Sequence, residues 1–307
     1  MNKNQKIIGA GAVIIASTLW GLDGVVFTPR LYNLDVGFVV FVLHLIPFII
    51  MNFFFYKRYS LLKEFTKGDL ITFFLLALFG GALGTMAIVK ALFLVNFQSL
   101  SIVVLLQKLQ PVFAMSLAAI LLKEKIRKRF LIWAGLAVFA SYFLTFGFHL
   151  PDMETNSPTI YAAGYSLLAA FSFGISTVLS KKVLGKFSFT TGTFFRYGFT
   201  SLIMLVIVLF MGTFNNYKLV TNENLLYFFI IGITTGSGAI FLYYYGLVRI
   251  RAIMATICEL FFPVSAILFD YLVNDKILSP VQWIATIIMI FAIVKLTAQK
   301  PVEVKVV

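Results

Sequence analysis

An all-α integral membrane protein, with ten transmembrane helices arranged as two inverted five-helix repeats, is the fold class this chain predicts. Three observations lead to it. Hydrophobic residues make up 61% of the 307 residues and charged residues 12%, a balance that soluble globular domains do not reach. Apolar segments of about 20 residues, the length that crosses a bilayer, recur along the whole chain. Residues that are costly or unusual in a membrane helix return about 152 positions later: Gly80 and Gly84 as Gly232 and Gly236, Pro111-Val112 as Pro263-Val264, and Ala114 as Ala266. At the same spacing His44 falls on Arg196, and with a slip of one residue Gly21 falls on Gly174 and Lys125-Ile126 on Lys276-Ile277.

Taken in order, the segments fall near 7 to 29, 35 to 56, 69 to 94, 99 to 122, 129 to 149, 158 to 182, 189 to 211, 224 to 247, 250 to 273 and 280 to 298. Runs such as ITFFLLALFGGALGTMAIV do not alternate in polarity, so transmembrane strands are excluded and helices that satisfy their own backbone are expected. The first segment has no small-residue cleavage site behind it and reads as a retained helix, not a signal peptide. Basic residues fix the orientation. The N-terminus, the loops after helices two, four, six and eight, and the C-terminal tail carry 18 Lys and Arg, against 3 on the other side, Arg30, Lys218 and Lys276. Both termini are therefore expected in the cytoplasm. Five helices per repeat is an odd number, so the second copy, 151 to 307, enters the membrane opposite to the first, 1 to 150, and the repeats are inverted. The +13 net charge follows this loop pattern, which makes nucleic acid an unneeded partner. One Cys and two His offer neither a disulfide nor a metal site.

Ionisable side chains at mid-membrane cost about 2.5 to 3.5 kcal/mol each on insertion scales, so they are candidates for function. Glu259 lies about ten residues into helix nine between Cys258 and Leu260, too far from either end to snorkel. It reads either as a coupling or substrate-contacting carboxylate or as half of a structural ion pair. Arg196 in helix seven, at about the same depth by the 1.5 Å rise per residue, is its candidate partner. In helix four, Gln107, Lys108, Gln110 and Pro111 crowd into LLQKLQPVF, and Gln107, Gln110 and Pro111 share one face. They read as a face that hydrogen-bonds a polar solute, against the plainer reading of interhelical packing. Gln107 falls on Glu259 at the repeat spacing, so each half places a polar side chain four residues before a mid-helix proline. Asp23 either lines the pathway or caps and pairs with Arg30. His44 reads as a hydrogen-bonded structural imidazole that is also able to carry a proton. Tyr243, Tyr244 and Tyr245 read as an interfacial aromatic belt before an aromatic wall. Lys90, Asp270 and Lys295 are near enough to helix ends to snorkel.

No ATP-binding loop and no hydrolase constellation occurs in the sequence, which excludes ATP-driven pumping and intramembrane hydrolysis and leaves a gradient as driving force. Ten helices in two halves, Trp20-Gly21 in helix one, Arg196 early in helix seven, the glycine-rich helices three and eight, and KLQPVFAMSLAAILLKEKI before a basic loop resemble the drug/metabolite transporter superfamily, in its EamA-like ten-helix branch. Pro111 with Glu124 and Pro263 with Asp275 match the family's proline-to-acid pattern. Gln110 and Phe262 stand where the family usually has Glu, and His44 is the first-half counterpart of Arg196. The resemblance implies a central cavity lined by helices one, three, four, six, eight and nine. The reading of the residues sets Trp20, Asp23, Gln107, Lys108, Gln110, Glu259 and Phe262 toward the substrate and makes His44, Arg196 and Glu259 a coupling group or structural ion pair.

The expected protein is no enzyme and uses no cofactor or metal. It is a secondary transporter in the cell membrane, the plasma or inner membrane, moving a small polar or amphipathic metabolite such as an exported amino acid by alternating access. A proton or substrate gradient would drive it, in a monomer or homodimer surrounded by lipid. The alternative reading is a flippase for a lipid-linked carrier, or a non-transporting membrane partner of an envelope enzyme.

Overall fold

A computed structural model describes residues 3–95, 103, 106–107, 109–124, 126, 128–148, 150, 157–274 and 279–297. Its helices are α1 (Lys3–Leu22), α2 (Val36–Phe55), α3 (Lys67–Leu76), α4 (Gly84–Leu94), α5 (Gln110–Leu121), α6 (Lys128–Phe146) and α7 (Ser157–Leu184). They continue as α8 (Phe189–Phe210), α9 (Asn222–Ile231), α10 (Ala239–Arg249), α11 (Ala252–Cys258), α12 (Phe261–Asn274) and α13 (Pro280–Thr297). Among the described residues there is no strand. Seven continuous helical runs are long and apolar enough to cross a membrane, while Gln110–Leu121 and Pro280–Lys295 are shorter. Positions 99–102, 104, 105 and 108 of the fourth expected span, 99 to 122, lie outside the described residues, as do Asp275, Lys276 and Ile277.

Local chemistry repeats with the sequence. Asp35 caps α2 by accepting from Phe38 N at 3.1 Å, and Ser188, 153 positions on, caps α8 by accepting from Thr191 N at 3.3 Å. α3 starts with a capping box between Thr66 and Asp69, and α9 starts with one between Thr221 and Asn224. In each box a side-chain oxygen and a side-chain acceptor reciprocally satisfy amide donors that a helix start leaves free.

Both of these helices then widen. A π segment, Ala77–Leu83, joins α3 to α4, and another, Gly232–Gly238, joins α9 to α10. A π turn shifts backbone bonding by one residue and leaves carbonyls open to other donors. A hydroxyl five residues along fills one of them in each half, Thr85 Oγ1 on Gly80 O at 3.4 Å and Ser237 Oγ on Gly232 O at 2.7 Å.

Packing couples each half to the other. α1 lies along α10 and α12, and α7 lies along α4 and α5; α2 pairs with α8, and α6 with α13. The closest approaches fall at small residues, which let helix backbones meet. A Cβ on Gly21 of α1 would stand 2.8 Å from Ala266 N, and one on Gly174 of α7 would stand 3.0 Å from Ala114 N. These are the same residue pairs that the sequence spacing relates. Outward-facing side chains such as Phe53, Phe54, Phe210 and Ile287 are exposed and apolar, as lipid-facing positions are when the solvent is hydrocarbon. Between the halves a cavity of about 280 Å³ remains.

Candidate functional site

The floor of this cavity is built from two broken helices. Pro111 lacks an amide hydrogen, and its ring strains any helix that precedes it, so the chain takes tight turns there: Leu109 N bonds Leu106 O at 3.1 Å and Val112 N bonds Leu109 O at 2.9 Å. Pro263 acts likewise. α11 ends at Cys258, Phe262 N turns back to Glu259 O at 3.0 Å, and α12 begins at Phe261. Each break leaves a polar side chain at the cavity wall, Gln110 from one half and Glu259 from the other.

These two meet. Gln110 Nε2 donates to Glu259 Oε2 at 2.5 Å, and Tyr243 Oη donates to Glu259 Oε1 at 2.7 Å. The Tyr243 hydroxyl also lies 2.9 Å from Thr177 Oγ1, and the Trp20 ring packs on Tyr243 with centroids 5.5 Å apart. Gln107, Phe173, Phe262 and Pro263 line the same space. The result is a carboxylate and amide floor between aromatic walls, a suitable receptor for a flat, amphipathic molecule with polar edges.

Of the two readings of Glu259, the ion pair with Arg196 is not formed. Ion pairs form elsewhere, at Arg30–Glu223 and Lys186–Asp69. Arg196 Nη2 donates to Gly80 O at 3.0 Å, and Nη1 donates to Tyr244 Oη at 3.1 Å, whose hydroxyl lies 2.8 Å from Ser180 Oγ. The physical reason is the π segment: it exposes the Gly80 carbonyl at a point where the missing side chain lets α7 and α8 close in, and a buried guanidinium takes that oxygen. A Cβ at Gly80 would meet Ser176 Oγ at 2.0 Å and Arg196 Nη2 at 3.1 Å. His44 bonds its own helix, Nδ1 to Val40 O at 2.8 Å, and packs on Tyr197 at 5.2 Å while lining the cavity.

Asp23 also lines the cavity, without Arg30, which pairs with Glu223 at 3.9 Å. Its Oδ2 accepts from Thr28 Oγ1 at 3.2 Å, made possible by the π segment Asp23–Phe27 that swings Thr28 back toward it. Lys108 lies outside the described residues. The tyrosine triplet corrects the sequence reading: Tyr243 is buried and hydrogen-bonded in the site, Tyr244 is buried behind it on Arg196 and Ser180, and Tyr245 lies under the Arg249 guanidinium at 3.5 Å. Successive helical residues point about 100° apart, so three in a row cannot all face one interface, a signal already present in the sequence. Thr177, Ser176 and Ser180 of α7 were missed because serine and threonine in a membrane helix usually bond their own backbone.

A largely apolar chamber carrying a few convergent polar groups, enclosed by membrane-length helices from both parts of the chain, defines a class, a multi-pass membrane transporter of a small metabolite and not an enzyme. The chain belongs to the EamA-like transporter family, whose sequence pattern matches residues 7–146 and again 160–298. It is similar to the riboflavin transporter ImpX of Fusobacterium nucleatum subsp. nucleatum, at 53% identity over 295 residues, 96% of this chain and 99% of that one. A crystal structure described only as that of a protein superposes with a TM-score of 0.69 at 16% identity, covering 96% of this chain and 97% of that chain, which speaks for the fold alone.

Proposed function

We propose that this protein carries riboflavin, or a flavin of the same shape, across the cell membrane by alternating access between two inverted halves, with both termini in the cytoplasm. The observation that carries the reading is the cavity itself: an amide and carboxylate floor, Gln110 with Glu259, under the aromatic walls of Trp20, Phe173 and Phe262. An isoalloxazine is a flat ring system with an imide edge that both donates and accepts, the pattern a glutamine amide and a carboxylate complement. The full-length similarity to a riboflavin transporter supports the same substrate. The exchange of helix partners between halves, and the paired crossings Gly21 on Ala266 and Gly174 on Ala114, support the inverted repeat and a ten-crossing chain.

A flippase for lipid-linked carriers would want basic side chains free to hold a phosphate. Among the described residues, Arg196 is the one Lys or Arg on the cavity wall, and it is engaged by Gly80 and Tyr244. The substrate reading is tested by titrating purified protein with riboflavin and following quenching of flavin fluorescence, then by uptake into vesicles containing the protein. Saturable quenching and time-dependent uptake are expected; absence of both removes riboflavin. Orientation is tested by labelling a cysteine placed at Ile126 in intact cells, where reactivity toward an impermeant reagent would reverse the assigned sidedness.

A further inference from the structure

The cavity holds a second polar station that the floor does not use. Asp23 Oδ1 and Thr235 Oγ1 are both buried, both belong to residues lining the cavity, and neither has a hydrogen-bond partner. Thr235 is 1% exposed, and the Asp23 carboxyl and Thr235 hydroxyl lie within interaction range of each other without meeting strict hydrogen-bond geometry. A buried polar atom left without a partner costs about 1 to 3 kcal/mol, so a helical bundle does not keep two of them face to face without a use. Both stand on π segments, Asp23–Phe27 and Gly232–Gly238, where the backbone is re-aimed toward the cavity.

The position of this station relative to the floor follows from helix geometry. Asp23 is one turn beyond Trp20, on the same face of the helix, and Trp20 touches Tyr243 on the floor. Thr235 precedes Tyr243 by eight residues, which at 1.5 Å per residue is about 12 Å along the helix. Besides its floor the cavity thus has a second group of polar side chains, a carboxyl and two hydroxyls, from Asp23, Thr28 and Thr235.

We infer that Asp23, Thr28 and Thr235 form a subsite for the hydroxyl groups of a polyol chain, so that the transported molecule is recognised at both ends, its ring edge on Gln110 and Glu259 and its polyol on Asp23 and Thr235. This rests on the flavin reading above and extends it to the side chain of the substrate. An aliphatic hydroxyl is both donor and acceptor. One placed between Asp23 Oδ1 and Thr235 Oγ1 donates to the carboxyl oxygen and accepts from the threonine, satisfying both unpartnered atoms at once. Thr28 already holds the other carboxyl oxygen and fixes the rotamer of Asp23.

The experiment compares two ligands that differ only at the proposed contact: riboflavin, and lumiflavin, which carries a methyl group in place of the polyol chain. Affinities are measured by fluorescence titration for the wild-type protein and for Asp23→Ala and Thr235→Val, each checked for folding by its thermal unfolding midpoint. Wild-type protein should bind riboflavin at least about tenfold more tightly than lumiflavin, as a site built to hydrogen-bond hydroxyls discriminates against the analogue lacking them. Each variant should lose most of that preference while its lumiflavin affinity stays within about twofold. Thr235→Val keeps the shape of the side chain and stands in should Asp23→Ala fail to fold. Equal wild-type affinity for the two ligands, or variants that weaken both alike, overturns the polyol subsite while leaving the flavin reading intact. A wild-type protein that binds neither ligand overturns the flavin reading and the subsite with it.

Discussion

The two π segments, Ala77–Leu83 and Gly232–Gly238, occupy matching places in the two halves and are used for opposite ends. Each opens with a capping box ten residues upstream or so, and each glycine carbonyl is met by a hydroxyl five residues on. Around Gly80, though, the space is closed. Ser176 and Arg196 press against the glycine, and the freed carbonyl anchors the guanidinium. Around Gly232 it is loose, since a Cβ there would meet nothing nearer than Pro47 at 3.4 Å, and Thr235 in the same segment faces the cavity unpartnered. The comparison teaches that a repeated backbone device carries no fixed role. One copy clamps α4, α7 and α8 together; the other supplies a polar group to the substrate chamber.

The strongest way to break this contrast is to add side chains at the two glycines. Gly80→Val should lower stability by about 3 kcal/mol, the upper part of the range for overpacking, because Ser176 Cβ and Oγ both stand within 2.7 Å of the new carbon. Gly232→Ala should change stability by less than about 1 kcal/mol, the clash-free helix preference for Ala over Gly offsetting a slight contact. Thermal unfolding in detergent measures both. Equal losses would show that the two segments do the same structural work.

Next in size is the pair Arg196 and His44, which the repeat places at equivalent positions. Arg196→Met should cost about 1 to 3 kcal/mol by removing the guanidinium's bonds to Gly80 O and Tyr244 Oη and leaving the carbonyl only the long contact from Thr85, whereas His44→Leu should cost about 1 kcal/mol, since its one described hydrogen bond is to its own helix. A greater loss at His44 would reverse the assignment of the clamp to the second half.

Glu259→Gln separates binding from folding. Gln fits the space, its carbonyl accepts from Tyr243, and its amide nitrogen donates to Gln110 once that amide turns over to present its oxygen, so stability should hold within about 1 kcal/mol. Riboflavin affinity should fall about tenfold if the carboxylate meets the ring edge, a loss of about 1.4 kcal/mol. A protein that unfolds instead would mark Glu259 as structural. The smallest effects belong to the capping boxes, where Thr66→Ala and Thr221→Ala should each cost about 1 kcal/mol and match one another, because here the two halves use the same chemistry for the same purpose.

Most of the bundle was legible in advance. Composition, segment length and the recurrence of Gly, Pro and Ala at one spacing mark the helices and their apolar solvent, because those features depend on the chain's own local geometry and on the absence of water; which small residues cross, Gly21 on Ala266 and Gly174 on Ala114, came from packing. The residues of the floor were legible too: Gln110, Glu259 and the prolines beside them are expensive at mid-membrane, and the expense is visible in one dimension. Which of them touch was not. Sequence depth along a helix places Arg196 level with Glu259, but depth says nothing of the direction in which each side chain points around its helix. Tertiary packing settled that angle, giving Arg196 to a backbone carbonyl that a π turn had freed, and Glu259 to a glutamine and a tyrosine. The membrane dictates that backbone polar groups be paired and makes unpaired side chains costly; only the packed structure decides which partner a side chain takes, because a hydrogen bond forms over about 3 Å and no sequence spacing resolves a distance that short between different helices.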